Sequence, residues 1–208
     1  MLSIIWPAST AYTWEINPYG RSKIQNELDI AGYEKKHGLS AVILKPSIVM
    51  GDEDIPYKGH FGQFVLMVAK LHRTPERFRR AVERVLRLPL LRPEFRVPGD
   101  PDAGLNLVKV GDVVQALLNI DKPGTYWIVN DSPPTLRELG DWVGEVIGVD
   151  VNFMLDKFTP SLVESFFQRK GVAFLPYLKG DEFTPLSSIR ASAVDKDFIQ
   201  NTVRSLLA

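Results

Sequence analysis

The 208-residue chain has no cysteine, which excludes disulfides, thiolate metal sites and cysteine nucleophiles and leaves its redox compartment open. Histidine is scarce too: His37, His60 and His72 are dispersed and offer no ligand spacing, so no metal site is expected. Neither sign of charge is in excess. Lys plus Arg number 25 and Asp plus Glu 25, so bulk electrostatics favours neither nucleic acid nor a membrane surface as a partner. No apolar run approaches the length of a membrane span, and Met1 does not open a charged segment leading into an apolar one. A soluble cytoplasmic protein is the expectation. Repeats and low-complexity tracts are absent as well. What remains is ordinary for a globular domain, with 45% hydrophobic and 24% charged residues. A chain of this length buries roughly 70% of its unfolded surface on folding.

The most informative feature present is Tyr19 with Lys23, in Asn17-Pro18-Tyr19-Gly20-Arg21-Ser22-Lys23. Four residues apart on a helix, the two share one face. An ammonium beside a phenol favours the phenolate, so the tyrosine is expected to titrate nearer neutrality and to exchange a proton with a carbonyl or carbinol. The pair alone is a weak motif; its flanks raise it. Upstream, Leu2-Ser3-Ile4-Ile5-Trp6 reads as a short buried strand, followed by the hydroxyl-bearing loop Pro7-Ala8-Ser9-Thr10-Ala11. Downstream, the helix runs to Lys35-Lys36-His37 and stops at Gly38, with cations and a glycine at its C-terminal end. A second apolar strand, Ala41 to Leu44, leads into Lys45-Pro46-Ser47-Ile48-Val49-Met50-Gly51-Asp52. Strand, hydroxyl loop, helix, strand and proline loop make a βαβ unit with its chemistry at the carboxyl ends of the strands, where open α/β sheets bind ligands.

These segments, with Glu27, Asn106-Leu107-Val108-Lys109-Val110-Gly111-Asp112, Thr125-Tyr126-Trp127-Ile128-Val129-Asn130 and Pro133-Pro134-Thr135-Leu136, resemble the extended short-chain dehydrogenase/reductases. The resemblance is to the NAD-dependent epimerase/dehydratase superfamily, and within it to the thioester-reductase and fatty-acyl-CoA-reductase-like branch. It covers roughly residues 1 to 150 well. It implies a partial Rossmann-like parallel sheet, NAD or NADP as cofactor, and hydride transfer to a carbonyl or acyl thioester. By the same resemblance Tyr19 is the general acid, Lys23 lowers its pKa and bonds the nicotinamide ribose, and Thr10, with Ser9 beside it, donates to the substrate oxygen. Pro46, Ser47 and Ile48 match the loop against the nicotinamide, whose backbone can address the carboxamide. Lys45 stands where the family usually has Arg. Asp112, near a helix start, is read as structural. The largest departure is the absence of a Gly-x-x-Gly-x-x-Gly or Gly-x-Gly-x-x-Gly turn for the cofactor pyrophosphate. The expectation is a C-terminal portion whose N-terminal βαβ units are missing and which is inactive alone. Alternatives are a nucleotide-sugar epimerase or dehydratase, a hydroxysteroid-type dehydrogenase, and a non-catalytic fragment or pseudoenzyme acting as a binding module.

Four portions are expected: 1–58, the C-terminal part of a Rossmann-like domain; 59–103, a substrate-side insertion; 104–131, a return to the sheet; and 132–208, a small, mostly helical substrate-binding portion. Arg73, Arg77, Arg80, Arg84 and Arg87 form one helical stripe, either a solvated face or a dock for a CoA, an acidic carrier protein or a lipid phosphate. Thr135-Leu136-Arg137-Glu138 reads as a capping box. Gly140, Gly144 and Gly148, spaced by four, suggest close helix packing. The aromatics between Phe153 and Tyr177 either line an acyl pocket or fill a core. The apolar strand at Ser3-Ile4-Ile5-Trp6 is expected at a sheet edge, where a second copy of the chain can pair.

Overall fold

The computed structural model describes residues 2–5, 18–51, 59, 61–71, 84, 93–171, 175, 178 and 188–208. In chain order the elements are β1 (Leu2–Ile5), α1 (Pro18–His37), β2 (Ala41–Pro46), β3 (Ile48–Met50) and α2 (helical residues 61–71). They continue as β4 (Glu94–Pro98), β5 (Leu107–Lys109), α3 (Val110–Asn119), β6 (Gly124–Val129), α4 (Leu136–Ile147) and β7 (Asp150–Met154). Last come α5 (Leu162–Lys170), β8 (Ser188–Arg190) and α6 (Lys196–Leu207). Contacts divide the chain into two compact units. One comprises 1–52, 106–133 and 181–194; the other comprises 53–105, 134–180 and 195–208. No helix among the described residues is long and apolar enough to cross a membrane.

The first unit is built on a parallel sheet in the order β1-β2-β6-β8. β2 lies between β1 and β6, and its run Ala-Val-Ile-Leu is apolar at every position rather than at alternate ones, as a strand covered on both faces requires. Val42 and Leu44 from β2, Ile128 from β6, Val108 from β5 and Val113 and Ala116 from α3 form its core. α1 opens with proline at its first position, where the missing N–H costs no helical bond, and closes on Gly38 at φ 62°. It is tethered to β2 twice: Glu34 Oε1 accepts from the Ala41 N–H at 2.8 Å, and Glu27 pairs with Lys45. Position 34 meets the start of β2 and position 27 its end, so α1 runs antiparallel to β2. A separate two-stranded parallel pair, β3-β5, continues from the end of β2.

The second unit pairs β4 with β7 in parallel and surrounds them with helices. Phe95 and Phe167 meet edge to face with ring centroids 5.0 Å apart, and Phe64 of α2 meets Phe167 at 5.3 Å and stacks on Phe153 at 6.5 Å. Phe153 and Phe167 are therefore core residues. The capping box at Thr135 and Glu138 is formed, with a second at Ser161 and Glu164. The glycine spacing has a different cause from the helix packing expected. A Cβ at Gly140 would overlap the Val151 carbonyl and one at Gly144 the Val149 carbonyl, so α4 lies on the strand β7 and its approach. Gly148 is the left-handed C-cap of α4, at φ 76°. β4 falls within 59–103, the portion expected as a substrate-side insertion, where Pro93 precedes it and Pro98 ends it. β8 falls within 132–208, yet pairs with β6 in the sheet of the first unit.

Candidate functional site

The sheet of the first unit brings several of the singled-out residues to the carboxyl end of β2. Tyr19 and Lys23 lie one turn apart in the first third of α1, with Lys23 half-buried. Because α1 runs antiparallel to β2, the eight residues from Glu27 back to Tyr19 carry the helix about 12 Å further, toward and past the carboxyl end of the strand. Thr10 and Ser9 lie outside the described residues, as do the Arg73–Arg80 portion of the basic stripe and Arg87. Pro46 ends β2, Ser47 follows it at 6% exposure, and half-buried Ile48 opens β3.

The Pro46–Ile48 joint is held by hydrogen bonds that the sequence pattern does not announce. The Ser47 N–H donates to the Ile128 carbonyl at 3.0 Å, and the Ile48 N–H to the Asn106 carbonyl at 3.2 Å. The Ser47 hydroxyl donates to that same Asn106 carbonyl at 2.6 Å. The Asn106 side chain then clamps the backbone of Asn130: its Nδ2 donates to the Asn130 carbonyl at 2.8 Å, and its Oδ1 accepts the Asn130 N–H at 3.0 Å. Asn130 Oδ1 accepts from the Ser132 N–H at 3.0 Å, whereas its buried Nδ2 has no hydrogen-bond partner among the described residues. An unsatisfied buried donor costs about 1–3 kcal/mol, so this amide is suited to take a water or a ligand acceptor. Asn106 thus joins the carboxyl ends of β2 and β6. Ser47 and Ile48 have spent all three of their donors internally.

Lys45, one residue before this joint, is 7% exposed. Its Nζ lies 2.6 Å from Glu27 Oε2 and 4.8 Å from the centroid of the Trp127 ring, directly across the β2–β6 ladder. A buried ammonium needs such a partner; removing one member of a buried pair costs about 3–5 kcal/mol, less here because Glu27 keeps 27% of its side chain in solvent. The sequence pattern gives no sign of this pair, whose members lie 18 residues apart.

A groove of about 420 Å³ elsewhere in this unit is lined by Asp112, Gln115, Asn119, Tyr126 and Arg190. Three of the polar side chains that line it have partners within the unit. Asp112 accepts from the Ser192 N–H at 2.9 Å and hydroxyl at 2.8 Å, the Tyr126 hydroxyl donates to the Lys122 carbonyl at 3.2 Å, and Arg190 pairs with Asp131 at 3.0 Å. Asp112 accordingly has a structural task.

Comparison with known families decides the affiliation. The model of the NAD dependent epimerase/dehydratase family matches residues 8–123, over half of the 208. The chain belongs to that family. Among solved structures, RMD from Pseudomonas aeruginosa complexed with NADPH is similar at a TM-score of 0.54 and 14% identity, covering 98% of this chain and 64% of that one. A GDP-D-glycero-L-gluco-heptose synthase from Campylobacter jejuni, in the presence of NADPH, is similar at 0.51 and 11%, covering 99% and 68%. A UDP-glucose 4-epimerase from Thermotoga maritima, with UDP-glucose, is similar at 0.50 and 18%, covering 99% and 64%. At these identities the likeness is one of fold. The chain spans about 64% of the length of the RMD and epimerase structures. No curated protein sequence matches it. The α/β family fold agrees with the parallel sheet expected from the alternation of apolar strands and helices.

Proposed function

We propose that this chain carries the nicotinamide and substrate half of an NAD(P)-dependent oxidoreductase of the extended short-chain dehydrogenase/reductase type. The observation that carries the reading is that α1 holds Tyr19 and Lys23 one turn apart near its amino-terminal end, which, because the helix runs antiparallel to β2, is the end on the side of the Pro46–Ile48 joint. The residues fit the nicotinamide end of the cofactor in two respects. Half-buried Lys23 supplies a cation for the ribose hydroxyls, and Asn130 Nδ2 is an unspent donor at the carboxyl end of β6. Because the donors of Ser47 and Ile48 are engaged, that joint addresses the carboxamide through its carbonyls and through the half-buried side chain of Ile48.

The reduced cofactor, when bound, supplies a hydride to the carbonyl carbon. Tyr19 holds the proton that goes to the carbonyl oxygen, and Lys23 stabilises the phenolate left behind until solvent returns a proton. Thr10 donates to the same oxygen and orients it. With an aldehyde the product is the alcohol. With an acyl thioester, CoA- or carrier-protein-linked, the first product is a hemithioacetal, which releases the thiol and leaves the aldehyde. A second reading, a nucleotide-sugar epimerase or dehydratase, is favoured by the family match itself.

The test is titration of the 208-residue chain with reduced nicotinamide mononucleotide, NADH and NADPH by calorimetry and by ligand-observed NMR. All three are expected to bind, and Tyr19→Phe/Lys23→Ala to weaken each about tenfold or more, one charged hydrogen bond being worth about that factor. Unchanged binding in the double variant, or none to the folded chain, overturns the reading. Adding UDP-glucose or an acyl-CoA to the same samples separates the two substrate classes.

A further inference from the structure

We propose that the Glu27–Lys45 ion pair is a positioning device: it fixes the rotation of α1 about its axis, and so the direction in which Tyr19 and Lys23 face. This rests on the reading above, since it assigns those two residues their orientation.

The starting observation is how little apolar packing α1 has. From Arg21 to His37 every residue is exposed or half-buried and none is buried, so an apolar stripe does not key the helix to the sheet. The half-buried positions are Lys23, Ile24, Glu27, Ile30 and Glu34, a seam in which two members are carboxylates. Both carboxylates are tethers. Glu34 holds the helix to the amino end of β2 through the Ala41 N–H. Glu27 holds it at the carboxyl end through Lys45, one turn from Lys23 and two from Tyr19. Lys45 is itself buried and flanked. It is 7% exposed, and its Nζ lies 4.8 Å from the Trp127 ring, whose residue is its register partner on β6.

Stability alone does not account for charges at this place. A buried ion pair generally contributes no more than a well-packed apolar pair of similar volume. What an apolar pair lacks is direction. A 2.6 Å contact between one carboxylate oxygen and one ammonium fixes an angle about the helix axis that two methyl-bearing side chains leave loose. Lys45 also immediately precedes Pro46. The same side chain therefore ties the helix bearing the acid to the joint proposed to face the nicotinamide, and a misplacement of about 1 Å between such groups costs on the order of a hundredfold in rate.

The absence of cysteine makes the test clean. Asn26→Cys on α1 and Lys122→Cys before β6, both exposed, carry nitroxide labels, and pulsed electron paramagnetic resonance reads the distribution of distances between them. A single narrow distribution is expected in the labelled chain and in its Lys45→Arg variant, which keeps the charge. In Glu27→Leu/Lys45→Met the distribution is expected to be about twofold broader, with the melting temperature nearly unchanged, because the apolar pair restores packing without direction. Wild-type width in that variant overturns the inference. Should the apolar variant fail to fold, Glu27→Gln is read instead, with broadening expected and wild-type width again overturning. Reduced nicotinamide mononucleotide, titrated into the same variants, is expected to bind about fivefold more weakly wherever the distribution broadens. If it fails to bind the unaltered chain, the functional reading falls, while the distance measurement still decides whether the pair sets the helix.

Discussion

Replacing Glu164 by Gln is expected to cost about 3 kcal/mol at neutral pH and almost nothing near pH 2. The Glu164 side chain is 3% exposed. Burial pushes its carboxyl up, but hydrogen bonds from the Arg96 side chain, the Ser161 backbone, the Arg96 backbone and the Ser161 side chain outweigh that and hold it at about 2, against an ordinary 4.5. The bonds are short: 2.9 Å from the Arg96 N–H, 3.0 Å from its Nε, 3.0 Å from its Nη2 and 2.6 Å from the Ser161 N–H. At about 1.4 kcal/mol per tenfold change in proton affinity, a fall from 4.5 to about 2 corresponds to about 3 kcal/mol of folding free energy. A carboxyl held below its unfolded value contributes fully above that value and loses its contribution as pH falls through the folded one, here from about 4.5 down to about 2. Thermal melts of both proteins at pH 7, 4, 3 and 2 measure this. A gap of about 6–12 °C at pH 7, closing progressively below pH 4.5, is the expected result. A gap that is small at pH 7, or equally large at every pH, refutes the electrostatic argument and leaves only packing.

Asn106→Ala removes both bonds to the Asn130 backbone and leaves its N–H and carbonyl buried without partners, an expected loss of about 2–4 kcal/mol. Hydrogen exchange at the Asn130 amide, accelerated relative to the rest of β6, is the check. Gly140→Ala and Gly32→Ala should move in opposite directions. The first forces a Cβ into the Val151 carbonyl and lowers stability by about 1–3 kcal/mol. The second fills open space in the middle of a helix and raises it by about 0.5–1 kcal/mol, both read from urea midpoints.

The parts of the fold legible in the sequence are those specified locally. β2 is a continuous apolar run, α4 announces itself through Thr135 and Glu138, and α1 ends in cations and a glycine. β4 was hidden because Pro93 and Pro98 look like breakers; they stand just before the strand and at its last position, where prolines are tolerated. β8, three residues long, is too short to show a period and exists through its ladder with β6. At the candidate site, Tyr19 and Lys23 stand out by their spacing and the Pro46–Ile48 joint by its family resemblance. Asn106, Asn130 and Lys45 do not. Their roles depend on partners 24 and 18 residues away, and a lysine before a proline gives no sign that it is buried against a tryptophan ring. Gly140 and Gly144 show the same limit, since a spacing of four records a close approach without saying whether a helix or a strand makes it.

The claim that Tyr19 is an acid tuned by Lys23 is tested most directly by titrating Tyr19 itself. Difference absorbance of the tyrosinate band between the chain and its Tyr19→Phe variant isolates that phenol, without cofactor or substrate. Titration well below the ordinary tyrosine value of about 10, moving back up in Lys23→Met, is the predicted result. Titration at or above that value, indifferent to Lys23→Met, contradicts it.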